Sequence, residues 1–115
     1  MAYRLTGPAE LQLIKVLAES SFRHGEAAKN RYELLIRTAM ESVGDDPGLP
    51  GSWPVRRFPG VRVYEIARSR HRVPREHRVA DPWHKLVYCV AEDGVVQFWQ
   101  LSAARIRQAG RQGRA

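Results

Sequence analysis

The side chains of this 115-residue chain that are able to do chemistry are mostly cations, and they are unevenly placed. Residues 1–53 hold 6 Lys+Arg against 7 Asp+Glu, whereas residues 54–115 hold 13 against 5. Lys occurs only at 15, 29 and 85, so the excess is Arg. Arg presents a planar fork of donors that matches phosphate and carboxylate. The second half therefore reads as the face that meets an anionic or acidic partner. Arg62, Arg68, Arg70 and Lys85, with Arg105 and Arg107 in the tail, are the candidate target contacts. Arg62, Arg68 and Lys85, joined by Tyr88, are also the set that would surround a phosphate if the chain cut RNA. That reaction needs a general acid and base as well, which Arg cannot supply. Tyr88 and His84 are the nearby groups that titrate, and they read first as a core residue and a loop-end residue.

Other chemistry is poorly served. His71, His77 and His84 are spread along a segment that also holds Arg68, Arg70, Arg72, Arg75 and Arg78. Metal sites want compact ligands with carboxylate or thiolate partners, and these arginines repel a cation, so neither a metal nor a cofactor is expected. Cys89 falls inside a strand pattern and reads as a buried structural thiol.

The elements that must position these groups follow from periodicity. Tyr3-Arg4-Leu5 reads as a short strand, with Thr6 or Gly7 capping a helix whose first turn contains Pro8. That helix runs from about Pro8 to Phe22. Leu11, Ile14, Ala18 and Phe22 form its stripe, and Leu13, Val16 and Leu17 widen it. Gly25 stops it. A second helix runs from about Glu26 to Val43, with Tyr32, Leu35, Ile36, Ala39 and Met40 on its apolar side. So short a link implies an antiparallel hairpin. Residues 44–60 are rich in Gly and Pro and read as loop, pinned on the core by Trp53 and Phe58. Strands are expected at Val61–Ala67, Lys85–Ala91 and Val95–Leu101, the last two joined at Asp93-Gly94. Between the first two, residues 68–84 read as an extended basic loop. A loop Trp among arginines, such as Trp83, is an interface-anchor candidate.

The length implies one domain, and 43% hydrophobic residues suffice for a small core. A pI near 10.3 suits nucleic acid or an acidic partner. One cysteine and no recognisable leader favour a reducing cytoplasm, and no apolar run is long enough for a membrane span.

YRLTGPAELQLIKVLAES, HGEAAKNRYELLIRTAMESVGDDPGL, PGVRVYEIARSRH and HKLVYCVAEDGVVQFWQL occur in an order that resembles the ParE branch of the ParE/RelE toxins of type II toxin–antitoxin pairs. The likeness covers most of residues 3–101 and is one of register rather than of a single motif. It implies an α+β fold, β-α-α-β-β-β, in which a helix hairpin packs on a small antiparallel sheet. It also implies a toxin that binds DNA gyrase without chemistry of its own and is silenced by a ParD-like antitoxin. Leu13, Leu17, Tyr32, Ile36 and Trp99 are the expected antitoxin contacts. Two alternatives stand beside it: a RelE-like, ribosome-dependent mRNA endonuclease, and a non-toxic nucleic-acid-binding protein on the same fold. The chain departs from the family in two places. About a dozen residues are inserted near 70–83, where the family has a tight turn. The strand end that carries a catalytic Tyr or His in RelE-like toxins is Gln100-Leu101-Ser102, followed by a basic tail at about 102–115.

Overall fold

The structure is a computed structural model and describes residues 3–103. Strand β1 (Tyr3–Leu5) leads into α1 (Gly7–His24) and α2 (Glu26–Asp45). Thr6 caps α1 by accepting the Ala9 amide at 3.2 Å. Gly25 alone separates the helices: its amide closes α1 on the Ser21 carbonyl, and its carbonyl accepts the Lys29 amide of α2. Its φ of 90° and ψ of 170° fall where only glycine sits without strain. The remaining strands are β2 (Ser52–Pro54), β3 (Arg62–Glu65), β4 (Lys85–Val90) and β5 (Val96–Ser102).

These strands form one sheet in the order β1-β5-β4-β3-β2. The α+β class and the helix hairpin on a sheet are as expected. Two features go beyond the expected order. β1 lies parallel to β5 at one edge, making the sheet mixed. β2 adds a second edge from within the Gly/Pro-rich loop, where Pro54 is tolerated because an edge strand can spare a ladder donor.

The core is built from Leu35, Ile36, Ala39, Met40 and Val43 of α2 against Tyr64, Leu86, Tyr88, Val96, Phe98 and Leu101 of the sheet. β5 meets β4 with a break in register: Tyr88 lies opposite Phe98, but Val87 lies opposite Gln100. Trp99 is the extra residue of this bulge. The bulge keeps both Phe98 and Leu101 buried and leaves Trp99 46% exposed, its indole N–H directed at the Cys89 sulfur 3.1 Å away.

Several local expectations change. Phe58 is 62% exposed and pins nothing, whereas Trp53 is buried. β3 ends at Glu65, and the chain coils into a 3-10 helix over Ile66–Arg72 and another over Arg75–His77. The segment expected to be an extended loop therefore packs: Ser69 and Val73 are buried, as is Ile66, expected in the strand before it, and the Tyr64 hydroxyl meets Ser69 Oγ at 2.8 Å. A polar composition concealed this, because three apolar or small side chains at the right turns are enough to seat it.

Candidate functional site

The cations of the candidate RNA-cleaving set do not converge. Arg62 and Tyr88 are opposite one another in register, and Arg62 donates to Ser52 Oγ at 2.8 Å. Tyr88 is fully buried and donates its hydroxyl proton to the Pro47 carbonyl at 2.5 Å. Burial raises its pKa, against the opposing pull of Ser52 and Arg62. Lys85 pairs with Glu65 and with Ser102, three residues along from Tyr88 and hence on the other face of the sheet. Arg68 leaves from the first 3-10 helix and lies over Gly51.

The arginines of the insertion act largely as internal ties. Arg70 donates to the Val79 carbonyl at 2.6 Å, and Arg72 to Ser42 Oγ of α2 at 3.0 Å. Arg78 spans the carbonyls of Val73 and His71. Sequence density of charge missed this role, because an Arg satisfying backbone carbonyls looks the same in sequence as one awaiting a phosphate. Arg105 and Arg107 lie outside the described residues.

The helix hairpin divides the expected antitoxin contacts. Leu17, Tyr32 and Ile36 are core residues at 9%, 7% and 1% exposure, and Leu13 is packed against the core. The stripe named from the sequence faces outward instead: Leu11 and Ile14 are each 62% exposed and Phe22 91%. At 100° per residue Leu13 and Leu17 lie on the opposite side of α1 from this stripe. The helix is apolar on both, and only the side bearing Ala9, Leu13, Val16 and Leu17 is covered.

A cleft of about 940 Å³ opens between the hairpin and the insertion. Tyr32 and His84 line it, the hydroxyl 2.5 Å from His84 Nδ1, with the Trp83 ring centred 4.3 Å from the imidazole at a tilt of 37° and the residue 60% exposed. Burial raises the Tyr32 pKa, opposed by the amides of Trp83 and His84. Burial, then Lys85, lowers that of His84, opposed by Glu19. Both shifts favour the neutral form, and the contact is a buried tie from α2 to the start of β4. No sequence signal joins residues 52 positions apart. His71 and His77 are exposed, and among the described residues no three His, Cys, Asp or Glu side chains gather as a metal site would require.

No protein-family model matches the chain, and no curated protein matches it. A solved chain of the "Chromosomal ParDE TA system from P. aeruginosa" does match in three dimensions. The two share a fold. The TM-score is 0.64 at 13% identity, over 95% of this chain and 96% of that one. So low an identity with so high a coverage ties the element order and sheet to the ParDE chain and leaves the side chains to be judged on their own geometry. No helix among the described residues is long and apolar enough to cross a membrane.

Proposed function

We propose that this protein is the toxin of a type II toxin–antitoxin module, acting by binding DNA gyrase and neutralised by a ParD-like antitoxin. The observation that carries the reading is the end-to-end likeness of fold to a ParDE chain. Binding without chemistry suits the side chains: Tyr88 is buried, Lys85 is on the opposite face from Arg62, and Gln100-Leu101-Ser102 offers no acid or base. Target contact falls to cations, among them Arg68, Lys85, Arg105 and Arg107. The antitoxin covers the outward stripe of α1, Leu11, Ile14 and Phe22, and the exposed Trp99 beside the sheet.

Inducible expression with pulse labelling of DNA and protein synthesis tests this. Early loss of DNA synthesis with a DNA-damage response is the expected result. Early loss of protein synthesis with replication intact would replace the gyrase reading with the mRNA endonuclease. Normal growth would leave the non-toxic nucleic-acid-binding alternative.

A further inference from the structure

The turn joining β2 to β3 has no part in the reading above. No carboxylate occurs from Pro47 to Tyr64, while Arg56, Arg57 and Arg62 do. The tip is held by its own backbone: the Val55 amide donates to the Val61 carbonyl at 2.8 Å, the Val61 amide to Phe58 at 3.0 Å, and Gly60 turns at a φ of 86°. This fixed turn presents Phe58 at 62% exposure between two other exposed residues, Arg57 and Pro59. Arg56 and Arg57 are exposed and, among the described residues, make no hydrogen bond or ion pair. They differ in this from Arg70, Arg72 and Arg78, whose donors are spent on carbonyls and Ser42.

We infer that this tip is a contact for an unpaired nucleic-acid strand, with Arg56 and Arg57 on phosphates and the Phe58 ring against a base. Clustered cations gain from counterion release, and a base stacks on any accessible aromatic face. Residues 55–60 line neither the cleft at Tyr32 and His84 nor the one between Asp45 and Arg68, where a peptide side chain could be seated. A base needs no cleft. A duplex would have to be unstacked to admit the ring, and three side chains give a small return against that cost. The contact is independent of the toxin reading.

Fluorescence anisotropy on the full chain tests it, using labelled oligothymidylate, oligouridylate, a duplex of the same length and polyglutamate. Phe58→Ala is expected to weaken single-strand binding roughly five- to a hundredfold. Arg56→Gln with Arg57→Gln is expected to flatten the plot of log K against log salt by about 1.4, at 0.7 per phosphate. Both variants keep the wild-type melting temperature, since the altered side chains are exposed, and both single strands bind alike. Four results overturn the inference: no single-strand binding; binding unchanged in both variants, which would assign it to the tail; tighter binding of duplex or polyglutamate; or a marked preference for RNA, which would need a reader of the 2′-hydroxyl that the tip lacks.

Discussion

Tyr32 and His84 illustrate how a single buried bond couples two distant parts of the chain. The hydroxyl lies 2.5 Å from His84 Nδ1, and the imidazole tautomer decides which of the two donates. Removing the hydroxyl with Tyr32→Phe leaves a buried ring nitrogen unsatisfied and should cost about 1–3 kcal/mol in urea denaturation. Pairing it with His84→Leu should cost less than the sum of the two single changes, because the orphaned ring nitrogen is then gone. Protonation follows the same geometry. His84 titrates below the usual imidazole value of 6.5 when folded, so the unfolded chain takes up the proton at higher pH. Its contribution is present above that value and is lost as pH falls through the window beneath it. Chemical denaturation at pH 7.5 and 5.5 should therefore reveal a drop that shrinks in His84→Gln.

Two glycines and one glutamine set the geometry of the elements. Gly25 and Gly51 both have positive φ, at 90° and 95°. A Cβ on Gly25 would meet nothing within 4 Å, whereas one on Gly51 would fall 2.3 Å from Arg68 Cδ. Gly25→Ala should thus cost only backbone strain, about 1–3 kcal/mol. Gly51→Ala should cost strain and also displace Arg68. Adding Arg68→Ala should restore part of the melting temperature of Gly51→Ala and none of that of Gly25→Ala. Further along the sheet, β1 ends at Leu5 opposite Phe98, so β5 beyond that point has no strand on that side. Gln12 of α1 takes over there, its Oε1 accepting the Leu101 amide at 2.9 Å. Gln12→Ala should destabilise by about 1 kcal/mol and speed hydrogen exchange at the Leu101 amide.

Across the molecule, α1 is the element with an apolar surface to spare. Its inner side is closed by the core, and its outer side carries three large exposed side chains over about three turns. Under the toxin reading, Ile14→Asp and Phe22→Ser should leave stability within about 0.5 kcal/mol of wild type and prevent rescue by a co-expressed cognate antitoxin. Co-expression growth assays and co-purification measure this. Leu17→Ala points inward and should instead cost about 2–5 kcal/mol. Toxicity and antitoxin binding should fall together in that variant.

Periodicity and turn chemistry were enough to place the two helices, the Gly25 break, the Asp93-Gly94 hairpin and the α+β class, because each depends on neighbours within a few residues. The side of α1 that faces the core was not legible: both sides are apolar, and docking against α2 and β5 chose between them. The same holds for the insertion, whose arginines acquire their carbonyl partners only once Ile66 and Val73 are seated. Contacts such as Tyr32–His84, Gln12–Leu101 and Arg68 over Gly51 join residues far apart in the chain. Local sequence encodes conformational preference but carries no term for which distant groups packing will bring together.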